Sequence, residues 1–198
     1  GLLAPDEVVV PDGVVPSPAL SQLNTATDSV VSRRIAVLAA DGVDLRGTER
    51  IAAALRELGA TVDVVGLIGG GTITTDTGQE LAVDLGLNTT SSSVYDAVLV
   101  PGAQDSVQLL AQDGSAIHFV GEAYKHLKPV AAFGAGIGLL RAAGINPESA
   151  GLTETHTDRG VVTTTSHGGA LDELFIEAFI DTVRRHRTWN RATEAVPA

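Results

Sequence analysis

The chain has 198 residues, of which 44% are hydrophobic and 19% charged, and its formal net charge is −11. It contains no cysteine and no methionine, which excludes disulfides, a thiolate nucleophile and zinc–thiolate sites. The negative charge argues against nucleic acid and anionic membranes as partners, because both favour a basic surface.

The first 32 residues differ in composition from the rest of the chain. Because proline fixes its own φ and favours an extended predecessor, we predict that residues 1–32 form an extended linker or arm. Five valines between residues 8 and 15 indicate that the arm lies against another surface. The missing initiator methionine is consistent with a processed chain or a piece of a longer protein. The prolines of the arm are Pro5, Pro11, Pro16 and Pro18.

Apolar runs of strand length recur from residue 33 onwards. Such runs predict strands that are buried on both faces of a sheet, because apolar and polar residues do not alternate in them. All of them are far shorter than the roughly 20 apolar residues that a membrane-spanning helix needs. Strands with this pattern are predicted at 35–40 and 97–101, further strands are predicted at 61–67 and 130–133, and residues 161–165 are β-prone.

Helices are predicted between these strands, where apolar residues recur at helical spacing. The first has Ile51, Leu55 and Leu58 on one face and ends at Gly59. A later helix is predicted to begin at Ser115 as its N-cap. The last is predicted from about residue 170 to 187, with Leu171, Leu174, Phe175 and Phe179 on its apolar face.

Strands that alternate with helices predict an α/β fold with a doubly wound, mainly parallel sheet and helices on both faces. A small β-hairpin insertion is predicted over residues 72–83, around Asp76-Thr77-Gly78. We predict that this domain spans residues 33–189 and that 190–198 form a C-terminal tail.

Ligands of doubly wound sheets bind beyond the carboxyl ends of the strands. Three predicted strands end in short turns that would meet at this edge. We therefore predict a candidate ligand cleft there and no metal site. The cleft residues are Asp41, Gly42, Gly102, Ala103, Gly134 and Ala135.

The glycine-rich run 134–138 follows a predicted strand and opens a helix, where a nucleotide-binding loop would lie. However, Leu139 stands where the dinucleotide fingerprint requires its last glycine, and the P-loop lysine is absent. Tight packing of helix against sheet explains the glycines better. The same turn is where a nucleophile elbow would present its side chain, and Gly134 has none.

Two other groups contain residues of the kinds found in hydrolytic or metal-binding sites. Ser166, His167 and Asp172 suggest a hydrolytic set, but neighbours on a strand point to opposite faces, so Ser166 and His167 are not expected to pair. His156 and Asp158 could share a strand face and bind a metal weakly. We interpret residues 157–160 (TDRG) as a surface turn instead.

Three segments together resemble the PfpI-like superfamily, relatives of class I glutamine amidotransferases. They are 34–43 (RIAVLAADGV), 95–103 (YDAVLVPGA) and 131–136 (AAFGAG), and in this order they cover about residues 33–187. The resemblance implies a flavodoxin-like fold. It also implies that active members carry a cysteine at the elbow, where this chain has Gly134. Such members place a glutamate in the loop after the first strand, where this chain has Gly47, with Asp44 and Glu49 close by.

Residues 16–21 (PSPALS), combined with 122–126 (EAYKH) leading into Gly134, resemble the C-terminal domain of large-subunit haem catalases. In those enzymes an arm joins a PfpI-like domain to the catalase core. The resemblance implies a non-catalytic domain that supports the stability and assembly of a homotetrameric parent that dismutates hydrogen peroxide. Its partner would be the catalase core, which would hold the haem. Neither Tyr95 nor Tyr124 is expected to bind iron, and this chain is expected to hold no cofactor.

Two alternatives remain open. Residues 8–15 form an apolar segment that could bind unfolded client proteins, as a chaperone does. The cleft at Asp41, Gly102 and Gly134 could instead serve a small-molecule binder or hydrolase. With no signal peptide in the sequence as it stands, a cytoplasmic location is predicted.

Overall fold

The computed structural model describes residues 17–20, 28–147 and 154–191. The predicted apolar arm around residues 8–15 lies outside these ranges. The strands are β1 Arg34–Leu38, β2 Thr61–Gly66, β3 Thr72–Thr74, β4 Glu80–Ala82, β5 Leu85–Gly86, β6 Ala97–Val100, β7 Val130–Phe133, β8 His156–Asp158 and β9 Val161–Thr164. The helices are α1 Leu45–Glu57, α2 Gln104–Ala111, α3 Gly114–Lys125, α4 Ile137–Ala142 and α5 Glu173–Arg184.

Seven strands form one sheet in the order β5-β2-β1-β6-β7-β9-β8. All neighbouring pairs in it are parallel except β8 and β9. β3 and β4 form a separate antiparallel hairpin. The predicted mainly parallel α/β sheet and its hairpin insertion are therefore confirmed.

Two hydrophobic cores lie on opposite faces of this sheet. α1 and α5 cover one face, where Ile35 and Val37 of β1 point. α2, α3 and α4 cover the other, where Ala36 and Leu38 point. The central strands β6 and β7 are apolar throughout because each of their residues faces one of these two cores.

The helices differ from the predicted ones at their ends. α2 was not predicted at all. Asp113 rather than Ser115 caps α3, since its carboxylate accepts from the amides of Ser115 and Ala116. Leu58 and Leu174 are exposed (37% and 61%), which contradicts their predicted places on buried faces. Leu58 lies past the last residue of α1, and Leu174 lies in the first turn of α5, so neither reaches the sheet.

The surface turn predicted over residues 157–160 is found at Arg159 and Gly160, whereas His156 and Asp158 lie in a strand. Both belong to β8, which pairs with β9 and ends in a turn at Arg159 and Gly160, both with positive φ. The antiparallel pairing satisfies the backbone of this edge segment and half-buries both side chains. Within the described ranges, no group of three or more His, Asp or Glu side chains is arranged to hold a metal ion.

The chain joins the sheet at the amino ends of its strands. Val30 packs into the core beside α1, and the amide of Ser32 donates to the carbonyl of Gly59 at 2.9 Å. Among the residues that the structure covers, no helix is both long and apolar enough to cross a membrane.

Candidate functional site

Gly134 lies at the carboxyl end of β7 and begins the short turn that leads into α4. Its φ of +54° is in the left-handed region, as at a strand–turn–helix elbow. A Cβ at this position would lie 3.1 Å from the Cβ of His167 and 3.3 Å from the Cα of Gly102. The elbow therefore has no side chain, and its neighbours occupy the space that one would need.

The glycines around the elbow form a closely packed seam. A Cβ on Gly102 would lie 2.6 Å from the carbonyl oxygen of Phe133, and one on Gly136 would meet the carbonyl of Val100. These contacts agree with the packing explanation of the glycine-rich run, because backbone approaches backbone without room for side chains.

The end of the loop after β1 and the first turns of α1 contain the three candidates for the glutamate position, namely Asp44, Gly47 and Glu49. Gly47 faces the ring of Phe133, and a Cβ there would lie 2.8 Å from Cε2 and Cζ of that ring. Asp44 is buried, whereas Glu49 is exposed. The ring of Phe133 thus fills the space into which a side chain at residue 47 would extend.

Asp44 is the buried carboxylate of the site. Its Oδ1 accepts from the amide of Gly47 at 2.8 Å and caps α1, and its Oδ2 accepts from the amide of Gly168 at 2.5 Å. It therefore joins the loop after β1 to the loop after β9. The capping role could have been predicted from an aspartate just before a helix, but the bond to Gly168 depends on strand order.

The residues of the predicted cleft do not all line the same recess. Asp41, Gly42 and Ala103 line an open recess of about 830 Å³ together with residues of the β3–β4 hairpin and α2. Gly102, Gly134 and Ala135 are not among the residues that line it. The hairpin lies beside this recess because Asp41 Oδ1 accepts from the amide of Thr74 at 2.8 Å. The contribution of the hairpin was not foreseen from the sequence.

The residues of the suggested hydrolytic set have structural roles. Asp172 caps α5 by accepting from the amide of Leu174 at 3.1 Å. His167 covers Gly134, and the amide of Ser166 donates to Thr164 Oγ1 at 3.3 Å.

The two tyrosines do not fit iron ligation. Tyr95 is buried against Phe119, with ring centroids 5.8 Å apart, and the Arg34 guanidinium lies 5.0 Å from its ring. Burial, and then the nearby Asp63 charge, raises the pKa of Tyr95 to about 12, which disfavours the phenolate that would bind iron. The ring of Tyr124 packs under the guanidinium of Arg191 at 4.4 Å.

Comparison with known proteins identifies the family. A family model described as the C-terminal domain found in long catalases matches residues 31–193. The chain belongs to this family. The resemblance of the sequence to the C-terminal domain of large-subunit catalases is thus confirmed.

Several catalases align with nearly the whole of this catalase C-terminal domain. Catalase HPII of Mycobacterium avium is 48% identical over 198 residues, which is 100% of this chain and 28% of that relative. Catalase HPII of Pseudomonas aeruginosa is 35% identical over 185 residues (92% of this chain, 24% of the relative). Catalase-2 of Bacillus subtilis is 34% identical over 195 residues (96% and 25%). The chain therefore spans about a quarter of the length of these relatives.

Solved structures with the same fold are ThiJ/PfpI-like. A two-domain protein from Anabaena variabilis, with DJ-1/ThiJ/PfpI-like and ferritin-like domains, superposes with a TM-score of 0.69 at 20% identity, covering 84% of this chain and 50% of that one. A ThiJ/PfpI domain protein from Brachyspira murdochii gives 0.67 at 18% identity, covering 77% and 96%. They confirm the flavodoxin-like fold. None of these matches supports the chaperone or hydrolase alternative.

Proposed function

We propose that this catalase C-terminal domain is non-catalytic and supports the stability and assembly of a homotetrameric haem catalase that dismutates hydrogen peroxide. The observation that carries the proposal is the elbow, where Gly134 offers no nucleophile and is covered by His167. The second position, Gly47, is packed against Phe133 and has no room for a carboxylate. Packing thus fills the space at the elbow and at residue 47, and the nearby carboxylate of Asp44 is engaged by the amides of Gly47 and Gly168.

The catalase core would be the domain's main partner and would hold the haem. The relatives support this assignment, because their names are those of catalases and the remaining three-quarters or so of their length lies outside the match. The described residues of this chain supply no tyrosine suited to iron, so the haem is assigned to the core alone. The cytoplasmic location stays a prediction.

The non-catalytic role is tested with the isolated chain. Haem and hydrogen peroxide are added, and the Soret band and oxygen evolution are followed. We expect neither a protein-bound Soret band nor oxygen above that of free haem. A bound haem with catalytic turnover in this chain would overturn the proposal.

The supporting role is tested in the longer catalase, by comparing the enzyme with and without this domain. We expect deletion to lower the temperature of inactivation and to promote dissociation of the tetramer, while turnover per haem in the intact tetramer stays unchanged. Asp44→Ala in the full enzyme should act in the same direction, because it weakens only the domain. If both variants keep wild-type thermal stability and assembly, the supporting role is wrong.

A further inference from the structure

A second concave surface, here called the Trp189 recess, lies at the amino edge of the sheet, away from the elbow. The segments that follow α3 and α5 run side by side there, and the amide of Thr188 donates to the carbonyl of Leu127 at 2.9 Å. The recess encloses about 440 Å³. This volume lies within the range of roughly 300–1,000 Å³ that is usual for small-ligand sites.

Backbone strain marks both sides of this recess. Leu127 has a φ of 60° and His186 a φ of 64°, in the left-handed region that favours glycine. Non-glycine residues keep such angles only where the surrounding structure requires them. Here they let the two segments turn out of their helices and meet at the Leu127–Thr188 hydrogen bond beside the recess.

The lining of the Trp189 recess is basic, although the chain as a whole is strongly acidic. It includes Lys125 and Lys128, the only two lysines, together with Arg187. Across residues 28–147 and 154–191, none of these three cations has a carboxylate within ion-pair distance. A helix C-terminus favours a cation such as Lys125. It does not account for a second lysine that is only 3% exposed, as Lys128 is.

The ammonium group of Lys128 retains donor capacity. It donates to the carbonyls of Ser92 at 2.6 Å and Tyr95 at 2.7 Å. A lysine ammonium has three N–H groups. The third finds no acceptor in the described part of the chain.

The charges around the recess disfavour one another. Burial, and then the Arg187 charge, lowers the pKa of Lys128 to about 8. Burial also lowers the pKa of Arg187, with Arg33 adding to the effect and Asp96 opposing it. Asp96 is already engaged, since its Oδ1 lies 3.4 Å from Arg33 Nη1 and 3.1 Å from His186 Nε2. An anion placed among these cations would therefore be stabilised.

We propose that the Trp189 recess binds a small free oxyanion of the phosphate class, held by Lys125, Lys128 and Arg187. A small ion fits better than a protein surface, because the three cations line a concave recess rather than a flat basic patch. Arginine and lysine are the side chains that bind such oxyanions through charge-assisted hydrogen bonds. The proposal is independent of the role of the domain in the longer catalase.

Trp189 makes the test direct, because it is the only tryptophan of the chain and lies on the rim of the recess. Inorganic phosphate is titrated into the full chain at constant ionic strength, with chloride as the balancing anion, and tryptophan emission is recorded. We expect a saturable change with a Kd of about 1 mM or tighter. Lys125→Met and Arg187→Met should each raise Kd about tenfold or more, the equivalent of one lost charge-assisted hydrogen bond. Because Arg187 is close to the fluorophore, ³¹P line broadening provides a second measurement of Kd.

Arg46→Met is the matched control, since it removes an exposed cation from the first turn of α1, at the opposite, carboxyl edge of the sheet. It should leave Kd unchanged. Absence of a saturable change, or an equal loss of affinity in all three variants, would overturn the proposal. A tri-glutamate peptide is titrated in parallel. Tighter binding of that peptide than of phosphate would assign the recess to a protein carboxylate and overturn the assignment to a free oxyanion.

Discussion

Replacing Asp44 by alanine should destabilise the domain more than the loss of any other helix cap. The change removes the cap of α1, a loss of about 1 kcal/mol (range roughly 0.5–2). It also removes the buried bond to the amide of Gly168, and a hydrogen bond to a charged acceptor is worth roughly 1.5–3 kcal/mol. The free energy of unfolding should therefore fall by roughly 2–5 kcal/mol. Asp113→Ala removes only the cap of α3 and should cost about 1 kcal/mol.

Urea unfolding followed by circular dichroism measures both variants against the wild type. Asp44→Asn gives a finer comparison, because its amide oxygen can keep the bond to Gly47 while its nitrogen cannot accept from Gly168. We expect faster hydrogen exchange at the Gly168 amide in this variant and a preserved start of α1. If Asp44→Ala and Asp113→Ala agree within about 0.5 kcal/mol, the bond between the two loops contributes nothing and the reasoning fails.

Three further results are expected. The pKa of Lys128 is lowered to about 8 in the folded protein from 10.5 in the unfolded chain, so its buried charge destabilises the protein below pH 8, and this penalty disappears as the pH rises from 8 to 10.5. In chemical denaturation, the stability of the wild type relative to Lys128→Met should therefore rise by up to roughly 3 kcal/mol over that interval, and a pH-independent difference would contradict the lowered pKa. In thermal unfolding, Gly134→Ala should lower the free energy of unfolding by about 1–2 kcal/mol because of the positive φ at this position. Gly138→Ala, whose Cβ would have only an ordinary contact at 3.6 Å, should be neutral or stabilise by up to about 1 kcal/mol. Gly47→Ala should cost about 1–3 kcal/mol by overpacking, and a double-mutant cycle with Phe133→Leu should recover at least about 0.5 kcal/mol; simple additivity would show that the ring does not set the cost.

The central strands β1, β6 and β7 could be predicted because their buried runs are apolar on both faces, a pattern that is visible without knowledge of neighbouring strands. The predicted apolar faces of the helices were less accurate, because the apolar spacing in the sequence continues beyond the part of each helix that packs on the sheet, as the exposed Leu58 and Leu174 show. α2 was not predicted because its short sequence QDSVQLLA has only a weak apolar stripe. The empty elbow could be located through the family pattern. The Asp44–Gly168 bond could not, because it joins residues 124 positions apart through strand order alone.

The packing around Gly134 and Gly47 makes substitutions that would introduce reactive groups costly for stability. A thiol at the elbow would first have to overcome a positive φ and the contact with His167, and a carboxylate at residue 47 would displace the ring of Phe133. That ring also packs edge-on against Phe175, with centroids 5.8 Å apart, so it cannot move without disturbing the core. Either single substitution thus lowers the stability of the fold before the second group needed for reactivity is in place.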